Sequence, residues 1–137
     1  MKFKSIIPIF AAAVVLIATS TAVVAGDATK GKKIAKKCTA CHTLNKGGKN
    51  RLGPNLYGII NKPAASVKGY RYSKAMKSAK IVWNEAAFTE FVTKPKKFIK
   101  RTKMSFAGIK NAEQRRDLIA YFRTLTDASQ GQESHGD

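Results

Sequence analysis

Acidic residues are scarce in this sequence. Only 8 of its 137 residues are Asp or Glu, against 26 Lys or Arg, so the formal charge is +18. A charge this high favours solubility and attracts acidic partners, which include nucleic acid, anionic lipid and an acidic protein face. The excess of positive charge therefore indicates acidic partners and does not indicate the fold.

Cysteine and histidine are also rare. The chain has two cysteines, Cys38 and Cys41, and the second lies directly before His42 in the pentapeptide CTACH. A disulfide between cysteines this close would close a very short loop and stabilise little. A structural zinc ion takes four ligands, and three residues so close in sequence do not share a tetrahedral ion comfortably. The other histidine, His135, lies in a polar tail.

Two interpretations of CTACH remain. A thioredoxin-like redox pair needs a preceding strand and a βαβ pattern, whereas residues 27–37 have no β-rich run and look helical. The spacing Cys-x-x-Cys-His is also that of a c-type haem attachment site. Two thiols on one turn can bond the two vinyl groups of a haem, and the histidine then lies under the iron. The pentapeptide favours haem and predicts a sixth iron ligand and an apolar wall around the porphyrin.

Long hydrophobic runs are confined to residues 1–25. A short positive start, MKFK, precedes an apolar run and the small-residue ending TSTAVVAG. This layout is typical of a secretory signal peptide, with Val23 and Ala25 at the −3 and −1 positions of a cut after Ala25. An uncleaved anchor is the alternative, because residues 6–25 are about long enough to span a bilayer. Both predict export, and cleavage would leave 24 basic against 8 acidic residues, a formal charge of +16.

Alternating β patterns and internal repeats are absent as well. The periodicity predicts a small all-α protein with long loops, in one domain over residues 26–127 and followed by a polar tail over 128–137. Capping residues and a proline predict where the helices begin. These residues are Asp27 before ATKGKKIAKKC, Ser73, Asn84, Pro95, and Asn111 before AEQRRDLIAYFRTL.

Two methionines are candidates for the sixth ligand. Met76 lies in a predicted helix, where core packing is the usual role. Met104 lies in the loop TKMSFAG, which can aim a side chain at a site, so it is the better candidate. A His/Met pair raises the reduction potential of a haem. It also saturates the iron, which suits electron transfer and disfavours a peroxidase or a gas sensor.

A series of blocks in order identifies a family: GDATKGKK, CTACHTL, GPNLYG, KGYRYS, IVW, KPKKFIK, TKMSFAG and DLIAYF. With these blocks the sequence resembles the soluble class I cytochromes c, of the mitochondrial and related bacterial kind, over nearly all of residues 26–127. The resemblance implies the all-α class I fold, with few helices and long loops wrapped around a covalently bound haem c.

The resemblance also implies how the iron and the haem edge are held. Cys38 and Cys41 would form thioether bonds to the haem, and His42 and Met104 would be the axial ligands. The backbone carbonyl of Pro54 would accept a hydrogen bond from Nδ1–H of His42 and fix the ring plane, as such partners do at metal sites.

Five further residues receive roles by the same resemblance. Tyr72 and Trp83 would donate hydrogen bonds to a buried haem propionate, since a buried carboxylate without donors is costly. Thr102 would hold the surroundings of the propionate, and Phe106 would cover the haem face near its edge. Gly31 would let the last helix cross the first closely.

The sequence departs from the family pattern at polar positions near the haem. Phe91 stands where many relatives have a tyrosine that hydrogen-bonds the methionine sulfur, and Met76 stands where they often have an asparagine near a buried water. Lys62 replaces an arginine near the propionates, and Ile34 or Ala35 replaces an aromatic residue on the first helix. A drier haem crevice is expected from the first two changes.

The function that the resemblance implies is one-electron transfer between membrane-bound or exported respiratory complexes, without substrate turnover. The expected partners are acidic docking faces, such as those of a quinol–cytochrome c reductase and a cytochrome c oxidase, and the protein is expected to be a periplasmic monomer. Nucleic acid is disfavoured, because no recognised motif is present and the aromatics occupy apparent core positions. The basic residues expected around the haem edge are Lys32, Lys33, Lys37, Arg51, Lys96, Lys103 and Lys110.

Overall fold

The computed structural model describes residues 25–127, and helices form its regular structure. They are α1 (Ala28–Ala35), α2 (Lys74–Ser78), α3 (Glu85–Thr93), α4 (Pro95–Phe98) and α5 (Ala112–Thr124). Within this range the chain has no β-strand beyond an isolated antiparallel bridge between Pro63 and Val82. The all-α prediction is confirmed. The predicted signal peptide and polar tail fall almost wholly on residues 1–24 and 128–137, outside the described part.

Side-chain caps begin four of these helices where the sequence predicted them. Asp27 accepts hydrogen bonds from the N–H groups of Thr29 and Lys30, at 2.8 and 3.0 Å. Ser73, Asn84 and Asn111 each accept one bond from the N–H three residues on, at 3.1, 2.9 and 3.0 Å. A cap of this kind stabilises a helix by about 1 kcal/mol, so local chemistry explains where these helices begin.

The first helix ends earlier than the sequence predicted. It was expected to reach Cys38, but it ends at Ala35. The N–H groups of residues 36, 37 and 38 each donate to the carbonyl three residues back. Such bonds tighten the last turn of a helix, and the tightened backbone leads directly into the CTACH turn.

Helices α1 and α5 cross at a glycine. A Cβ atom at Gly31 would overlap the backbone carbonyl of Asp117 and would lie 2.8 Å from Cβ of Tyr121. Asp117 is buried in α5, and its Oδ1 accepts a hydrogen bond of 2.8 Å from the N–H of Asp27. The start of α1 is therefore tied to the middle of α5, and the close crossing expected at Gly31 is present.

The core lies between α3, α5 and the loops that precede them. Phe88 on α3 meets Phe122 on α5 with ring centroids 5.0 Å apart, and Trp83 meets Phe91 at the same distance. Leu118 and Phe122 are almost completely buried. In residues 25–127, none of the helices is long and apolar enough to cross a membrane.

Candidate functional site

A cavity of about 520 Å³ lies beside this core. Its volume falls in the range of ~300–1,000 Å³ that is usual for ligand sites. All nine residues to which the resemblance assigns a role at the haem site line it, although they are widely separated in sequence. They are Cys38, Cys41, His42, Pro54, Tyr72, Trp83, Thr102, Met104 and Phe106.

His42 is held in one orientation in the cavity wall. Its ring is buried, and Nδ1 lies 2.7 Å from the carbonyl oxygen of Pro54. A carbonyl only accepts hydrogen bonds, so Nδ1 carries the proton and Nε2 keeps its lone pair. Burial lowers the pKa of His42, and the hydrogen bond to Pro54 offsets this only in part. A neutral imidazole with a free Nε2 is the form that binds a metal.

Gly53 makes room for this ring. A Cβ atom at Gly53 would overlap the imidazole of His42, and the N–H of Gly53 donates to the carbonyl oxygen of Cys41 at 2.9 Å. The chain therefore passes directly against the histidine before the carbonyl of Pro54 accepts the hydrogen bond from its Nδ1–H. Sequence reasoning did not single out Gly53, although the Gly-Pro pair in GPNLYG was a turn signal.

The two cysteines share one tight turn. The N–H groups of Cys41 and His42 both donate to the carbonyl oxygen of Cys38, at 3.1 and 2.9 Å. Both thiols are free, and Cys38 is half-buried while Cys41 is exposed. Burial, with a contribution from Cys41, raises the pKa of Cys38 to about 11. A redox dithiol depends on a lowered thiol pKa, so this environment disfavours the thioredoxin-like interpretation.

Met104 reaches the same cavity from a loop that is fixed on its N-terminal side. The buried Thr102 donates its N–H to Ile99 at 3.1 Å, and its Oγ1 accepts from the N–H of Met104 at 3.3 Å. The ammonium of Lys103 donates to the carbonyl of Arg71 at 3.0 Å. The methionine side chain, which is half-buried, is thus presented by a loop whose backbone is anchored at Thr102 and Met104.

Arg115 fixes the other side of the loop. Its Nη1 donates to the carbonyl oxygens of Ile109 and Lys110, each at 2.7 Å, and the N–H of Ile109 donates to Val92 at 2.8 Å. Arg115 lies on α5, so the loop is joined to the helix that also crosses α1. Sequence reasoning missed this residue, because nothing local distinguishes it from its neighbour Arg116.

Two of the four departures from the family pattern, Met76 and Phe91, face the cavity, whereas Lys62 and the position of Ile34 or Ala35 do not line it. Met76, buried on α2, and Phe91, buried on α3, line it together with Met104. Phe91 also contacts Phe98 with ring centroids 6.3 Å apart. By the resemblance, these apolar side chains stand where many relatives have a hydrogen-bonding side chain.

The aromatic residues expected near a propionate lie in the wall with different surroundings. The hydroxyl of Tyr72 accepts a hydrogen bond of 3.3 Å from the N–H of Val67, and burial raises the pKa of Tyr72. The backbone of Trp83 is paired on both sides, with Asn61 at 3.0 Å and Lys62 at 2.9 Å. Phe106, which follows Met104 and Ser105 in the sequence, is half-buried.

The donor set of the cavity fits a haem c. It combines two thiols on one turn, a neutral imidazole with a free Nε2, a thioether on a separate loop, and apolar side chains in between. Across residues 25–127, the structure has no group of three or more His, Cys, Asp and Glu side chains that could hold a metal ion.

Comparison with known proteins agrees with this chemistry. The family model for cytochrome c matches residues 28–126. Cytochrome c of Chlamydomonas reinhardtii is 45% identical over 103 residues, which cover 74% of this chain and 92% of that protein. Cytochrome c of Euglena viridis is 46% identical over 74% of this chain and all of that protein. Cytochrome c2 of Rhodoblastus acidophilus is 42% identical over 71% and 91%.

The fold and the site define a class I c-type cytochrome. The chain belongs to the cytochrome c family, whose members carry a covalently bound haem c. It is an electron carrier and not an enzyme.

Proposed function

We propose that one haem c occupies the cavity, attached through Cys38 and Cys41, with His42 and Met104 as the axial ligands of its iron. The observation that carries this proposal is the orientation of His42. The carbonyl of Pro54 leaves only Nε2 for a metal, in the cavity that Met104 also lines. The haem supplies a one-electron couple, and the residues around it set the potential and the access of water.

Those residues favour the reduced state and keep small molecules from the iron. A thioether ligand raises the potential of a haem relative to a second imidazole. The apolar side chains of Met76 and Phe91 lower the local polarity, which disfavours the additional positive charge of the oxidised iron. With both axial positions filled by His42 and Met104, a small molecule has to displace a ligand in order to bind.

The remaining wall residues hold the haem's polar edge and the ligand loop. Tyr72 and Trp83 donate hydrogen bonds to a propionate, which needs donors where it is buried. Thr102 fixes the backbone of Met104. Phe106 covers the haem face beside that loop.

The electron partners are acidic faces of respiratory complexes, such as a quinol–cytochrome c reductase and a cytochrome c oxidase. Lys37 and Lys103 line the cavity, so positive charge borders the haem site. Charges placed in this way steer a partner and raise the rate of encounter more than the affinity. With residues 1–25 as an export signal, the protein works as a monomer in the periplasm.

Removal of the thiols tests covalent attachment. In the Cys38→Ala, Cys41→Ala double variant, expressed with the haem-attachment machinery of the periplasm, we expect no haem on the denatured polypeptide. The unaltered chain should keep one haem per chain through denaturation and extraction with acid acetone. The measurement is the haem absorbance that remains with the denatured chain. Haem retained by the double variant, or lost from the unaltered chain, would contradict the proposed attachment.

Phe91→Tyr tests whether the Met104 sulfur lacks a side-chain donor. A hydroxyl that donates to this sulfur withdraws electron density from its lone pair, and the oxidised iron loses more from this than the reduced iron. We expect the potential to rise by about 40 mV, which corresponds to one hydrogen bond of about 1 kcal/mol on a one-electron couple. The pH at which Met104 is displaced should fall.

Phe98→Tyr is the matched control for that variant. Phe98 contacts Phe91 but is 38% exposed and does not line the cavity. Its new hydroxyl can be solvated, so neither the potential nor the displacement pH should move. If Phe91→Tyr behaves like this control, then a phenylalanine at position 91 does not leave the Met104 sulfur without a side-chain donor.

A further inference from the structure

Leu52 is an unusually exposed apolar side chain at the rim of the haem site. It is 80% exposed, whereas Val82 and Phe98, the other large apolar side chains that stand out from the described surface, are 47% and 38% exposed. Of the three, only Leu52 lines the cavity. A single exposed leucine is ordinary on a protein surface, so its meaning depends on how it is held and what surrounds it.

The backbone on both sides of Leu52 is fixed. The carbonyl of Leu52 accepts a hydrogen bond of 2.6 Å from the hydroxyl of Tyr70, and the next residue, Gly53, donates its N–H to Cys41 at 2.9 Å. The preceding residue, Arg51, donates its own N–H to the carbonyl of Gly53 at 2.9 Å, closing a turn around the leucine. The backbone of such a turn loses little entropy when a partner covers the leucine.

The charge around Leu52 is positive. Lys37 and Lys103 line the same cavity, and the guanidinium of Arg51 is held on the carbonyl of Thr39 at 2.9 Å. Among the described residues that line the cavity, none is Asp or Glu. An apolar point bordered by fixed positive charge complements an apolar recess bordered by carboxylates.

We propose that Leu52 is the apolar anchor of the docking contact, and that it inserts into an apolar recess ringed by carboxylates on an acidic protein partner. This inference rests on the proposed electron-carrier function. The basic side chains set the rate of encounter and its dependence on salt. Leu52 sets how long the docked complex lasts, because burial of an apolar side chain depends little on ionic strength. The occupant is a protein face and not a lipid surface.

The test compares Leu52→Ser with Val82→Ser, which removes a similar exposed aliphatic side chain that does not line the cavity. The dissociation constant of each variant's complex with a purified bacterial cytochrome c oxidase is measured across a salt series. For Leu52→Ser we expect a loss of affinity of about tenfold at every salt concentration, the effect of withdrawing one leucine from a buried contact. The slope of the logarithm of the dissociation constant against the logarithm of the salt concentration should stay unchanged. Val82→Ser should match the unaltered chain.

Three further readouts decide between docking and other roles. The visible spectrum and the rate of reduction by ascorbate should be the same for Leu52→Ser and the unaltered chain. A change in either would overturn the proposal by showing that Leu52 acts on the haem itself. Equal losses in Leu52→Ser and Val82→Ser, or no loss in Leu52→Ser, would also overturn it. The proposal would also be overturned if Leu52→Ser bound phosphatidylserine vesicles more weakly but left the affinity for the oxidase unchanged, because Leu52 would then contact a lipid surface. Failure of the unaltered chain to reduce any acidic oxidase would instead count against the proposed function.

Discussion

Met104→Ala should open the iron to small ligands. While Met104 is bound, imidazole binds only to the small fraction of molecules in which the methionine has dissociated. If that fraction is about 1%, removal of the competing methionine tightens the apparent binding of imidazole about 100-fold. The potential should fall by about 0.2 V, because axial ligands tune haem potentials over a range of ~0.8 V. Spectral titration with imidazole and potentiometry measure the two effects.

Met76→Ala is the control that distinguishes the two methionines of the cavity. Met76 is buried on α2, so its loss should destabilise the fold by about 2–5 kcal/mol, as large-to-small changes in a core do. Imidazole affinity should stay close to that of the unaltered protein. If Met76→Ala opens the iron and Met104→Ala does not, the axial ligand has been assigned to the wrong methionine. If neither variant opens it, a lysine such as Lys103 is the next candidate for the sixth ligand.

Gly31→Ala should destabilise the fold strongly, although helix propensity alone predicts the opposite. Alanine in a helix interior is favoured over glycine by about 1 kcal/mol, so propensity alone predicts a gain. The added Cβ overlaps the backbone carbonyl of Asp117, which cannot rotate away, and α1 and α5 must separate. We expect a net loss of about 3 kcal/mol in the free energy of unfolding, the upper end for overpacked cores. Denaturant titration of the haem-loaded protein measures it.

Gly47→Ala is a suitable comparison, because a Cβ there meets no other atom within 4 Å and only the backbone angle, φ +68°, is unfavourable. That strain costs about 1–2 kcal/mol. If Gly31→Ala costs no more than Gly47→Ala, or stabilises the protein, then the helices do not cross as closely as the structure shows.

The starts of the helices were predictable from the sequence because the signals that set them are local. Asp27, Ser73, Asn84 and Asn111 each satisfy backbone groups within three residues, and every one of these caps forms. The end of α1 was predicted too late, because three consecutive tight turns into CTACH decide it. A helical pattern does not contain that information, since it reflects which face is apolar and not where a ligand-binding turn must begin.

The site was predictable only in part, for a different reason. CTACH and the loop methionine pointed to a haem, but residue spacing could not bring positions 38 and 106 to one cavity. The family resemblance supplied that arrangement. Gly53 and Arg115 were missed because their roles depend on which segments meet in space: one passes against an imidazole, and the other holds the end of the Met104 loop. The roles of the individual haem contacts remain predictions, as do the export signal and the tail.

The visible spectrum of the oxidised protein tests the central claim most directly. A bond between oxidised haem iron and a thioether sulfur gives a weak far-red absorption band, beside the main bands of haem c. We expect this band in the unaltered protein and in Met76→Ala, and its loss in Met104→Ala. Absence of haem c bands from the purified protein, or a far-red band that survives Met104→Ala, would contradict a haem c with Met104 as a ligand of its iron.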